Sequence, residues 1–264
     1  IGKASQPMLP SIMIPTTAGT GSECQSFALI ADNITHQKMA CGDPKAMAKA
    51  TLLDPELTLS QPQRVTACTG IDAIAHAVET AVTRKRNETS MKYSREAFRL
   101  LVSSFCRVMD EPNDVDARGE MLLGAAYAGT AIEQSMLGAV HSAANPLTAH
   151  YDVIHGQAVG IMLPHVVEFN LPASQDKMAK VAVVMGEDTK GLSQRECAEL
   201  GLQSVIDLME DVEVFNKLSD YGATQDHLNI AADRIWDQHT PRSIISPKGF
   251  KSRDEILGLM QAAF

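Results

Sequence analysis

The chain has 264 residues, 45% apolar and 21% charged, enough to bury one large core or two smaller ones. A formal net charge of −9 and the lack of any Lys/Arg-rich run exclude a nucleic-acid surface; the one basic cluster, Thr83 to Arg86, reads as the wet end of a helix. No run of about 18 apolar residues or secretory leader stands out, so a cytoplasmic protein without membrane contact is expected, and five scattered cysteines (Cys24, Cys41, Cys68, Cys106, Cys197) without a C-x-x-C pair suit reduced, mostly buried thiols.

In chain order, short β-type runs come first: Ser11 to Pro15, Ser26 to Asp32, Lys38 to Asp43 and Lys49 to Asp54, with the middle two joined as a hairpin. Helical patterns follow over Thr66 to Thr83, Ser90 to Met109, Asp116 to Glu133, Ser174 to Met185, Ser193 to Met209, Thr224 to Trp236 and Ser252 to Phe264. Ser193 with Glu196, and Ser252 with Glu255, have the capping-box form. The expected fold class is mostly α. A β-rich part over residues 1–58, a remnant of an α/β nucleotide-binding domain, precedes a multi-helical domain over 59–264. Fewer than sixty residues of short strands are too few to stand alone, so they are expected to lie against the helices or to belong to something further.

The segment "GIDAIAHAVET", Gly70 to Thr80, sets three polar groups in an apolar stretch with no basic residue beside them. On a helix Asp72 and His76 are one turn apart on one face, and Glu79 falls close to the same line. Taken alone, this spacing more often describes an exposed helix with one wet face. Further on, His141 to Gly160 carries His141, His150 and His155 among apolar and small residues, with Asn145-Pro146 and His155-Gly156 interrupting the helical pattern. Neutral imidazoles with one carboxylate suit a divalent ion and leave it positive enough to polarise a substrate oxygen. His36 and His165 read as hydrogen-bonded core residues, and His227 and His239 as structural or solvated ones near helix ends.

Four stretches carry a family resemblance: "IPTTAGTGSE" (Ile14 to Glu23), "LLDPELT" (Leu52 to Thr58), "TGIDAIAHAVE" (Thr69 to Glu79), and "HSAANPL" from His141 with the later "HGQAVGIMLPHV". The sequence resembles the iron-containing, or group III, alcohol dehydrogenases along essentially its whole length. The resemblance implies a dehydroquinate synthase-like helical metal domain in which Asp72, His76, His141 and His155 hold Fe²⁺, with Zn²⁺ as the other candidate. It also implies coenzyme contacts, to NAD or NADP, from Thr16, Thr17, Thr20, Ser22, Lys38 and Leu57. Hydroxyls, one ammonium and backbone amides bared by Gly19 and Gly21 suit ribose and phosphate oxygens. Without the family, "AGTGSE" is a glycine-containing turn that misses the G-x-G-x-x-G pattern, since position 24 is cysteine.

Two departures from the family stand out. Its glycine-rich pyrophosphate loop has no counterpart before Ile1, so the chain is expected to be a piece of a longer protein or a form that lost half of its coenzyme site. Asn145 stands where many members have a further histidine in the proton path; His150 is the candidate to replace it, which makes Asn145 and His150 the catalytic candidates. The implied reaction is metal-assisted hydride transfer between a small alcohol or aldehyde and NAD(P), in a homo-oligomer. Two alternatives are an inactive metal-binding structural or assembly module and a metal-dependent hydrolase; the hydrolase leaves "PTTAGT" unexplained.

Overall fold

The computed structural model describes residues 2–33, 38–151, 153–214, 216–238 and 246–264. These fold into two compact units, one of Ile1–Thr80 with Asn87–Met136, the other of Ala81–Arg86 with Leu137–Phe264. Eight α-helices and four short strands are present among the described residues, so the mostly α reading holds.

In the first unit, β1 (Ile12–Met13) pairs in parallel with β4 (Ala50–Thr51), while β2 (Phe27–Ala31) and β3 (Lys38–Gly42) form the expected antiparallel hairpin. Register places Phe27 opposite Gly42, where a side chain on the glycine would meet the Phe27 ring. The helices are α1 (Gln63–Val82), α2 (Glu88–Asp110) and α3 (Val115–Ser135). Asn87 and Ser90 close a capping box at the start of α2, and Asp114 accepts from the Ala117 amide at the start of α3.

Small residues set how closely these helices approach. Gly70 of α1 lies against the Phe105 ring of α2, and Gly124 of α3 against Leu101 of α2; a Cβ at either would come within 3 Å of its neighbour. Ile71, Ile74, Leu101, Phe105, Met121 and Leu122 are sealed between them. Every residue from Gly70 to Thr80 is buried, so the expectation of a wet face on α1 does not hold: Ala73, Ala75 and Ala77 let neighbours close in on all sides. The basic cluster after it is solvated at Arg84, Lys85 and Arg86.

The second unit holds α4 (Ala139–Tyr151), α5 (His155–Met185), α6 (Gln194–Asp211), α7 (Gln225–Gln238) and α8 (Arg253–Ala262). Two points differ from the sequence reading. Pro146 does not interrupt the helix but lies inside α4; Ala143, Ala144 and Leu147 are buried around it, and their packing offsets a cost of about 3 kcal/mol for a proline in a helix. The helix expected from Ser174 is the last third of α5, which starts at His155, contains Pro164 and Pro172, and bends at Ser174 (φ −139°, ψ 19°). The Ser174 hydroxyl donates to the Asn170 carbonyl at the bend.

The capping box at Ser193 and Glu196 is complete. At α8, Ser252 accepts from the Glu255 amide, but the Glu255 carboxylate accepts from the Lys251 amide rather than closing back on Ser252. His227 caps α7 by exchanging bonds with Thr224, a structural role as expected. The expectations for His36 and His239 lie outside the described residues. His165 is half-buried, and burial holds its imidazole below the usual range. None of the five cysteines is in a disulfide: Cys68 and Cys197 are buried, Cys24 and Cys106 half-buried and Cys41 exposed. No helix among the described residues is long and apolar enough to cross a membrane.

A close backbone approach lies between the turn at Gly21 and helix α3. A Cβ on Gly129 would sit 2.1 Å from the Gly21 carbonyl oxygen, and Gly21 itself has φ +58°. Gly129→Ala should therefore destabilise the chain by about 2 kcal/mol or more, read as a lower urea midpoint, because neither side of the contact is a flexible side chain that can swing away.

Candidate functional site

Helix α1 presents the first pair of expected ligands. Asp72 and His76, each 4% exposed, stand one turn apart with His76 Nε2 3.4 Å from Asp72 Oδ1. Glu79 is equally buried at the next position of that stripe. Such burial is costly for a carboxylate without compensation, so the stripe is no ordinary solvated face.

The second pair lies in the other compact unit. His141, near the start of α4, is buried, and His155, the first residue of α5, is half-buried; their ring centroids are 5.5 Å apart at 59°. The break between α4 and α5 supplies this arrangement, because it lets residues fourteen apart in sequence face each other as neighbours. Thr148 Oγ1 lies 3.5 Å from His155 Nδ1, at the limit of a hydrogen bond. This threonine was not singled out from the sequence: only the folded-back start of α5 brings it to the imidazole. Asp72, His141 and His155 each present a ligand atom of the kind a divalent ion takes, and the donor set of carboxylate oxygen and imidazole nitrogen fits iron or zinc.

Of the catalytic candidates, Asn145 is half-buried on α4 one turn after His141, and its Oδ1 is buried with no donor reaching it. His150 belongs to the last turn of α4, and its side chain lies outside the described residues.

The coenzyme candidates fall in the first unit. Thr16, Thr20 and Ser22 are exposed and Thr17 is half-buried; Thr20 donates to the Ser22 hydroxyl at 3.0 Å and accepts from the Ser22 amide. Leu57 is exposed in the short 3₁₀ turn Pro55–Thr58, and Lys38 opens β3 with its side chain outside the described residues. The glycines between them answer to packing: a Cβ on Gly19 would meet Thr69 of α1 at 2.5 Å, and one on Gly21 would meet the Ala125 carbonyl and Gly129 of α3. Beside the expectation that they bare amides for a ligand stands a steric constraint that the sequence did not disclose.

Glu23 is a residue the sequence reading passed over. It follows the Gly21 turn, is 5% exposed, and its Oε1 has no donor; burial raises its carboxyl above the usual range, only partly offset by a bond from its own backbone amide. Nearby, Ser26 donates from both its amide and its hydroxyl to the Glu133 carboxylate, tying the start of β2 to α3.

Comparison with known proteins supplies the family context. Residues 66–264 match the model of the Fe-containing alcohol dehydrogenase family, C-terminal, and residues 1–55 that of iron-containing alcohol dehydrogenase. The 1,3-propanediol dehydrogenase of Citrobacter freundii is 33% identical over 221 residues, covering 84% of this chain and 57% of the relative. The NAD-dependent methanol dehydrogenase of Bacillus methanolicus is 29% identical over 246 residues, covering 92% and 65%. Among solved structures, an alcohol dehydrogenase from Oenococcus oeni superposes with a TM-score of 0.94 at 32% identity, covering 100% of this chain and 68% of that one. The chain spans less than two thirds of the length of these two curated relatives.

The raised Glu23 carboxyl has a definite pH signature. The folded chain holds this proton more tightly than the unfolded chain, so the contribution is fully present below the ordinary carboxylate pKa and is lost as pH rises through the folded value. In Glu23→Gln that loss is absent. Urea titrations across pH 4 to 8 should show the stability difference moving in favour of the variant as pH rises, and a pH-independent difference would contradict the assignment.

Proposed function

Because the chain belongs to the iron-containing alcohol dehydrogenase family, we propose that it carries the metal-binding machinery of an enzyme that moves a hydride between a small alcohol or aldehyde and NAD or NADP. The observation that carries this reading is the pair of ligand pairs, Asp72 with His76 on α1 and His141 with His155 across the α4–α5 break. Together they form the four-ligand set of one divalent ion in this proposal. The relatives' names support the substrate class and the coenzyme, being those of dehydrogenases of 1,3-propanediol and of methanol, the latter NAD-dependent. In this reading residues 1–58 serve the coenzyme side and 59–264 the metal side of a cytoplasmic homo-oligomer.

When bound, the ion supplies a Lewis acid that polarises a substrate oxygen. Asp72 would contribute one negative charge to the ligand set and the three imidazoles none, so about one positive charge would stay available for that polarisation. Thr148, against Nδ1 of His155, restrains the ring so that its other nitrogen is the one offered. Asn145 Oδ1 can accept a hydrogen bond but cannot take up a proton near neutral pH, so His150 is the group assigned to proton movement. On the coenzyme side, the hydroxyls of Thr16, Thr17, Thr20 and Ser22 bind ribose or phosphate oxygens, with Lys38 as the cation and Leu57 as apolar support. Thr20 and Ser22 exchange their mutual bond for those contacts.

Metal analysis tests the reading directly. The purified chain should retain about one divalent ion, and His155→Ala should lose at least tenfold in affinity, since even removal of an outer partner of a ligand costs that much. Zinc should compete well with iron, following the general affinity order for such sites. Near-zero metal in both proteins would remove the proposal. In a catalytically competent form, Asn145→His should add a titrating group near pH 6 to 7 to the pH–rate profile. An unchanged profile would take position 145 out of the proton path.

A further inference from the structure

Glu23 lies in the 3₁₀ segment Ser22–Cys24, which closes the threonine-bearing turn of Thr16 to Ser22. Three contacts hold this segment in place. Gly21 meets the Ala125 carbonyl and Gly129 of α3, the Glu23 carbonyl accepts from Thr51 Oγ1 of β4 at 3.0 Å, and Ser26 donates twice to Glu133. The Glu23 side chain is shut in with them: the residue is 5% exposed and no donor reaches its Oε1. The titratable groups of the adjoining elements are Cys24 in its own segment and Glu133 of α3, the latter engaged by Ser26. The hydroxyls of Thr130 on α3 and Thr51 on β4 bond the Cys24 thiol instead. No cation holds the Glu23 carboxyl; burial favours its proton, opposed only by a bond from its own backbone amide.

A neutral carboxyl can stay in such a place, whereas a carboxylate with neither donor nor cation is strongly disfavoured there. Because Gly21 and Gly129 meet backbone to backbone, the short segment has no slack, and an ionised side chain reaches water by moving the segment with it. We propose that Glu23 is a latch for the threonine-bearing turn: with its proton on, the turn seats against α3, and with the proton lost, the turn lifts and displaces Thr20 and Ser22. The lifted form has an ordinary carboxyl and the seated form a raised one, so lifting becomes about tenfold more favourable per pH unit between those two values and levels off above the higher. The consequence for NAD(P), weaker binding as pH rises, rests on the coenzyme role proposed above; the latch itself does not.

Cys24, half-buried in the same segment, reports the lifting, and the exposed Cys41 corrects for the growth of thiolate with pH. The full chain is treated with iodoacetamide at pH 5 to 8, and the ratio of Cys24 to Cys41 alkylation is read by mass spectrometry. The latch gives a ratio that rises by up to about tenfold per pH unit until the seated carboxyl has titrated. A turn that stays seated gives the opposite sign, because a Glu23 carboxylate raises the Cys24 thiol and slows it. Glu23→Gln, which cannot ionise, should hold the ratio level. In the unaltered chain labelled with ¹⁵N-glycine, the Gly19 and Gly21 amide signals should shift over the same pH range. A level or falling ratio in the unaltered chain, an equal rise in Glu23→Gln, or unmoved Gly19 and Gly21 signals would each overturn the latch. None of these measurements needs coenzyme, so failure of the latch is told apart from failure of the coenzyme role.

Discussion

Burying the Asp72 carboxylate in the middle of α1 constrains the structure around it. A carboxylate taken out of water costs several kcal/mol unless partners recover it, and the stripe it shares with His76 and Glu79 has no wet side to retreat to. The helix bearing it is lined with alanine and glycine, which bring neighbouring backbone close and shut solvent out. A segment of this kind makes physical sense when the buried charge has a job that needs a dry, crowded setting. That links the packing of α1 to the chemistry proposed for it.

Steric economy recurs elsewhere. Gly19 and Gly21 seat the threonine-rich turn on α1 and α3, Gly70 admits Phe105, Gly124 admits Leu101, and Gly201 lets α6 close on the Met178 carbonyl of α5. In each case a side chain would meet atoms that have little freedom to move. The turn that carries Thr16 to Ser22 is therefore held by backbone contacts more than by its own bonds, which leaves its hydroxyls on the outside.

Much of this was legible in the sequence because it rests on local rules. The hairpin follows from two β-rich runs around a polar turn, α2, α3, α6, α7 and α8 follow from apolar periodicity and their caps, and the Asp72–His76 pairing follows from the pitch of a helix. What escaped notice depends on tertiary packing. Pro146 sits within α4, and α5 runs on through Pro164 and Pro172, because buried neighbours outweigh a broken backbone bond. The contact of Thr148 with His155 depends on how two helices meet, and the burial of Glu23 on how one turn lies against α3. The glycines of "AGTGSE" were read for what they could bare, whereas their nearest constraint is what they must avoid.

The bond between Ser26 and Glu133 joins residues 107 apart in the chain, and the Gly21–Gly129 contact beside it spans a similar stretch. Contacts of this separation are slow to form, since the loop entropy is lost before the contact gives anything back. The threonine-bearing turn can take its shape only after α3 has become helical and the intervening helices have collapsed. Its conformation is therefore expected to form late in folding, an order that φ-value analysis of the Gly21–Gly129 and Ser26–Glu133 contacts would read.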